Sequence, residues 1–166
     1  DVTNIVSPEV LVLSYTTSAT NKPVIYVHDA EDVTINGITL DGDGKGNANF
    51  RFQGIAFWNA SGSVLNSKVV DVTDTPFSGV QHGIGIFAFN NTSGSSYSII
   101  LNNLEILGFQ KTGVALNGNG NLNVDIDNVT TIGAGPTAVT AQNGIQTWGA
   151  SGTINNCEIS NIAYKN

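Results

Sequence analysis

Ionisable side chains are scarce in this chain, so the places where they gather stand out. Of its 166 residues, 6 are Lys or Arg, 13 are Asp or Glu and 2 are His. One gathering comprises Asp71, Asp74 and His82, with Arg51 and Lys111 as nearby cations. Carboxylates and an imidazole supply acid and base, and a cation holds a substrate carboxylate; together they are the equipment for cleaving a uronic-acid polymer. The same charges also suit solvated loops. A second gathering is aromatic: Trp58, Phe87 and Trp148, accompanied by Tyr26, His28, Asn117 and Gln146. Flat rings beside amides offer stacking surfaces and hydrogen bonds to sugar rings. A covered secondary core and a protein contact are the other uses of such a stripe.

A third candidate is the turn Asp41-Gly42-Asp43-Gly44-Lys45-Gly46-Asn47. Its Asp/Asn alternation and Gly46 resemble the opening of a Ca²⁺-binding EF-hand loop. Lys45 stands where an oxygen ligand belongs, and Phe52 replaces the bidentate Glu. An Asp/Gly/Asn turn without metal fits the residues, with a weak Ca²⁺ site on Asp41, Asp43 and Asn47 as the alternative.

The elements that position these residues come from an internal repeat. Gln53-Gly54-Ile55, His82-Gly83-Ile84, Thr112-Gly113-Val114 and Asn143-Gly144-Ile145 recur with glycines 29, 30 and 31 apart, and Pro23-Val24-Ile25 fits one step earlier. One residue past each start come Ile25, Ile55, Ile84, Val114 and Ile145; three past it come Val27, Phe57, Ile86, Leu116 and Thr147. This alternation marks an inward strand face. A second run places Val33, Val64, Leu101, Ile126 and Ile154 inward, with Ile38, Val69, Ile106 and Ile159 further on. Asn36, Asn66, Asn103, Asn128 and Asn156 take corresponding places, as a corner that needs left-handed backbone would favour. No segment keeps a 3.6-residue period, so the chain is expected to be all-β with essentially no helix.

Units of about 30 residues with several short strands stack into a parallel solenoid. On the Gly-hydrophobic starts, the Asn ladder and stretches such as Gln142-Asn143-Gly144-Ile145-Gln146 and Gly152-Thr153-Ile154-Asn155-Asn156, residues 23–166 resemble the right-handed parallel β-helix repeat family, the pectin-lyase-like superfold. The resemblance implies a single-stranded right-handed parallel β-helix of about five to six coils. It specifies chemistry weakly, because that superfold includes lyases, hydrolases, epimerases, adhesins and tail spikes. The Arg-centred signature of pectate lyases is missing, and so are the paired-Asp and Arg-Ile-Lys segments of polygalacturonases and the Asp-Pro-His of alginate epimerases.

The register then places the candidates. Loops 41–53, 71–82, 109–112 and 133–143 leave one corner, gathering Asp41, Asp43, Arg51, Asp71, Asp74, His82 and Lys111. Four residues past the repeat start, His28, Trp58, Phe87, Asn117 and Trp148 point outward one above another. Residues 1–22 are expected to form an irregular first turn, with Val10–Leu13 as a strand over the open end of the core and 16–21 as loop. The last rung, ending at Asn166, is expected to leave an edge for further rungs or for self-association. Cys157, beside an inward run, reads as a small buried hydrophobe.

Composition narrows the class. A net charge of −7 opposes nucleic-acid binding, which needs clustered cations. No apolar run is long enough to cross a bilayer. With no Met in the sequence, Asp1 is expected to belong to a processed chain or an excised piece of a longer one. Sparse charge and 21 Asn, with much Ser, Thr and Gly, suit an extracellular or cell-surface protein. The expected function is a structural, adhesive or glycan-binding module; the alternative is a polysaccharide lyase or hydrolase that uses the corner loops.

Overall fold

The computed structural model describes residues 3–14 and 21–165. They form a parallel β-solenoid of about five turns with three faces. The first face stacks β2 (Lys22–His28), β5 (Phe52–Trp58), β7 (Ile84–Phe89) and the beginnings of β9 (Thr112–Ile132) and β10 (Asn143–Asn155). The second stacks β3 (Val33–Asn36) on the first half of β6 (Gly62–Val70), then β8 (Tyr97–Leu107), β9 and β10. The third runs from β1 (Thr3–Val6) through β4 (Ile38–Asp41), β6, β8 and β9 to β11 (Glu158–Ser160). All these strand pairs are parallel, and among the described residues the helical content is one 3₁₀ turn, Gly46–Ala48.

Each face contributes an inward column. Ile55, Ile86 and Val114 come from the first, Val64, Leu101 and Ile126 from the second, and Leu40, Val69 and Ile106 from the third; all are buried in one core. The third column is interrupted by Thr131, a fully buried residue whose hydroxyl has no hydrogen-bond partner. Glycine is required at the start of the first face. A Cβ on Gly54 would lie 2.5 Å from the Gly85 carbonyl oxygen, and one on Gly85 would lie 2.5 Å from an Ile106 methyl.

The corner between the second and third faces is an amide ladder. Asn128 donates to Asn103 (3.0 Å), Asn103 to Asn66 (2.7 Å) and Asn66 to Asn36 (3.0 Å). Asn66, Asn103, Asn128 and Asn156 all have left-handed backbone, with φ between 47° and 54°. In the first rung the left-handed residue is Gly37, at φ 69°; Asn36 precedes it and pairs with Leu65. Asn156 leaves the ladder and donates to Asp127 (2.7 Å).

Three expectations are corrected by the register. The repeat start in the third rung is Ile84-Gly85-Ile86, because Gln53 pairs with Ile84 and Ile55 with Ile86. Ile84, expected inward, is therefore only partly buried and lies outside the core. Ile86 faces inward under either alignment, so alternation could not separate the two. For the same reason the first-rung members of the other inward columns are Ile35 and Leu40, not Val33 and Ile38. Third, the strand at the N-terminal end is Thr3–Val6, paired with Ile38–Asp41, whereas residues 10–13 belong to no strand. The expected loop at 16–21 lies, but for Asn21, outside the described residues. At the other end the inward Ile154 and Ile159 are 49% and 45% exposed, with no described rung above them. Cys157 is partly buried against the core.

Candidate functional site

The loops from the third face to the first do leave one corner, and the middle two are organised around a buried polar network. Asp74 and His82 are both buried. His82 Nδ1 accepts the Arg51 backbone N–H (3.1 Å), and since that N–H can only donate, Nδ1 carries no proton. The ring proton is therefore on Nε2, which donates to Asp74 Oδ1 (3.0 Å). Asp74 Oδ2 accepts from the Ser78 hydroxyl and from Gln110 Nε2, and the Asp74 N–H donates to Gln110 Oε1 (2.8 Å). Burial pushes the Asp74 carboxyl upward, but hydrogen bonds from His82, Ser78 and Gln110 outweigh it and hold the group below its ordinary value. One rung on, Gln142 repeats the device. Its amide donates to the Phe109 and Gln110 carbonyls and accepts the Ala134 N–H (2.8 Å).

The other corner charges stay apart from this pair. The Asp71 carboxyl is pushed up by partial burial and by the Asp41 and Asp43 charges. Lys111 Nζ donates to the Ala141 carbonyl. The Arg51 guanidinium lies 5.9 Å from the Phe50 ring centroid. In the Asp/Gly turn, Asp41 Oδ1 accepts the Asp43 N–H (2.7 Å), and Asn47 Oδ1 accepts the Thr75 N–H (2.7 Å). The Lys45 ammonium sits 2.7 Å from Glu9 and 3.5 Å from Asp43, occupying the side on which a cation would bind. Among the described residues, no three metal-ligating groups converge.

The outer surface of the first face carries the aromatic side chains, in a corrected order. His28, Trp58, Phe89, Asn117 and Trp148 are register partners, while Phe87 belongs to the neighbouring column with Tyr26, Ala56, Ala115 and Gln146. The Trp58 and Phe89 rings stack at 5.1 Å with planes 7° apart, and Phe87 lies 6.4 Å from Phe89. Tyr26 stacks on His28 at 4.8 Å. Along this column Trp58 is 8% exposed and Trp148 75%, so the stripe is a packed stack at one end and an open ring at the other. Between them the enclosed Asn117 Oδ1 has no hydrogen-bond partner.

Phe89 and Gln53 escaped the sequence reading. Phe89 was hidden by the two-residue register ambiguity at Gly83 and Gly85. Gln53 was read only as a repeat marker, yet it is buried at the head of the outer face and its Oε1 is unpartnered. No protein-family model matches this chain, and neither a curated protein nor a solved structure matches it.

Proposed function

We propose that this protein is a glycan-binding β-solenoid module whose ligand lies along the outer surface of the first face. The observation that supports this most is the open Trp148 ring at the end of a column of aromatic and amide side chains, with Gln146 and Asn117 beside it. Successive rungs are about 4.8 Å apart, so the column offers contacts at short, regular intervals along the axis. A sugar ring stacks its C–H face on such an aromatic surface, while amides meet its hydroxyls. An extracellular or cell-surface setting agrees with the sparse charge and the abundance of Asn and Gly.

The competing reading, polysaccharide cleavage at the corner loops, loses support at its own candidate pair. Each ring nitrogen of His82 already has a partner, and Asp74 accepts from three side chains. A general base needs a lone pair facing substrate, and a general acid needs a transferable proton there. Binding to a panel of soluble oligosaccharides, measured by calorimetry, tests the proposal. Trp148→Ala is expected to weaken the best ligand by about fivefold, the equivalent of roughly 1 kcal/mol of stacking. Release of reducing ends or unsaturated uronate from the same panel would favour the enzyme reading instead.

A further inference from the structure

The first face begins in a cleft of about 250 Å³ beside the loop corner. Gln53 lies at its head, and Phe50, Arg51, His82, Ile84 and Phe87 line it. Gln53 is 2% exposed, yet its Oε1 makes no hydrogen bond. The other two buried glutamines are engaged at both ends of the carboxamide, whereas the enclosed Asn117 and Asn121 oxygens share the state of Gln53. Gln110 donates to Asp74, Ser78 and Val80 while accepting the Asp74 N–H, and Gln142 bonds three backbone groups. A buried amide oxygen left without a partner is unfavourable and uncommon, and at a cleft it points to a bond that another molecule can supply. His82 cannot supply it, because both of its nitrogens are taken.

We propose that this cleft receives the acetamido group of an N-acetylhexosamine residue. This rests on the glycan-binding reading above and names the sugar. The enclosed Oε1 requires a donor, and the rings of Phe50 and Phe87 with Ile84 require apolar contact beside it. Among the described residues that line it, the only charged side chain is the Arg51 guanidinium, a donor. A secondary acetamide meets all three demands. With the Gln53 carboxamide turned toward the cleft, the acetamide N–H donates to Oε1, the methyl packs on the apolar wall, and the acetamide carbonyl accepts from Arg51. A plain hydroxyl brings no methyl, and a carboxylate would place an anion against an acceptor oxygen. The cleft has room for one sugar ring and not for a chain. It opens on the column that leads past Phe87 and Phe89 to Trp148, three rungs or about 14 Å further along the axis.

Calorimetry of the whole chain with N-acetylglucosamine and N-acetylgalactosamine oligosaccharides, each beside its non-acetylated counterpart, tests this. At least one acetylated series should bind about tenfold or more tighter than its counterpart. Gln53→Leu should remove that preference while Tm stays level or rises, because Leu fills the site without an unpaired amide. Gln53→Met, unbranched and of similar length, gives the same test if Leu does not fit. Glycan binding without an acetamido preference, or a preference that survives both substitutions, overturns this inference and leaves the broader reading standing. A large fall in Tm in both variants also overturns it, since the amide would then have a structural partner. Absence of binding to any glycan overturns both.

Discussion

The loop corner and the outer surface of the first face meet at His82, and they use buried polarity in opposite ways. On the corner side, Asp74, His82, Ser78 and Gln110 meet one another's hydrogen-bonding needs. Gln142 bonds backbone groups of residues 109, 110 and 134, and these contacts together tie the loops 71–82 and 133–143 to the solenoid. On the face side, Gln53 and Asn117 hold enclosed oxygens with no protein partner, among rings that are only partly covered. These loops have only scattered backbone bonds and isolated bridges to their neighbours in place of a continuous ladder, so side chains take up part of the remaining backbone groups. Strands of a solenoid already have their backbone groups paired, which frees their outward side chains for a ligand. The residue types that most suggest catalysis are therefore absorbed by structure, while an unremarkable glutamine remains open to a partner.

The largest expected effect separates two tryptophans in one column. Trp58→Ala should destabilise the protein by about 3 kcal/mol or more in urea unfolding, as truncation of a buried aromatic generally does. Trp148→Ala should change stability by less than about 0.5 kcal/mol, since its ring is open to solvent and packs on little. Equal destabilisation by the two would mean that the column is a single covered core along its whole length. That result would remove the main support for binding there.

How much of this was legible follows from what a period can and cannot carry. The recurrence of Gly and β-branched residues about every 30 positions, together with two inward runs, contains the all-β parallel stacking, because each turn must match its neighbours. Placement within a turn was less accessible. At Gly83-Ile84-Gly85-Ile86 two alignments share the same inward parity, and only the close approach of Gly85 to Ile106 and to the Gly113 carbonyl decides between them. That ambiguity exchanged Phe89 for Phe87. The pairing of Asp74 with His82 was within reach, since both fall on one loop. Their saturation by Arg51, Ser78 and Gln110 depends on contacts as far apart as Asp74 and Gln110, 36 residues, which no local pattern records. The unpartnered state of Gln53 is likewise a property of the assembled fold.

A second substitution probes the corner. His82→Ala should cost about 2–3 kcal/mol, because it removes a charge-assisted hydrogen bond and leaves the buried Asp74 carboxylate short of a donor. The pH dependence gives an independent reading. The folded state depresses the Asp74 pKa, so the stabilisation it contributes is complete above the ordinary value of 3.8 and disappears as pH falls through the lower folded value. Urea midpoints taken at successive pH values should therefore fall in strong acid for the native sequence, and fall less for Asp74→Asn. If His82→Ala were as stable as the parent, the network would be free for chemistry and the contrast with Gln53 would lose its basis.

The smallest effect belongs to Asp71, the corner carboxylate that the network leaves out. Its backbone is left-handed, at φ 53°, a conformation that Asp and Asn both tolerate. Partial burial and the like charges of Asp41 and Asp43 raise its pKa, so the ionised form opposes folding. The sign is opposite to that of Asp74. The penalty is fully present above the raised folded pKa and vanishes below 3.8, where the carboxyl is protonated in both folded and unfolded chains. Asp71→Asn keeps the turn and removes the charge, so it should raise Tm slightly at neutral pH, by no more than a degree or two, and by less as salt screens Asp41 and Asp43. Thermal melts at pH 7 and pH 3 compare the two regimes directly. A gain at pH 7 that disappears at pH 3 would place Asp71 outside the corner's hydrogen-bonded framework. A loss at pH 7 would instead show that this carboxylate is held by a favourable partner, and that the saturated network reaches further along the corner than Asp74, His82 and Gln110.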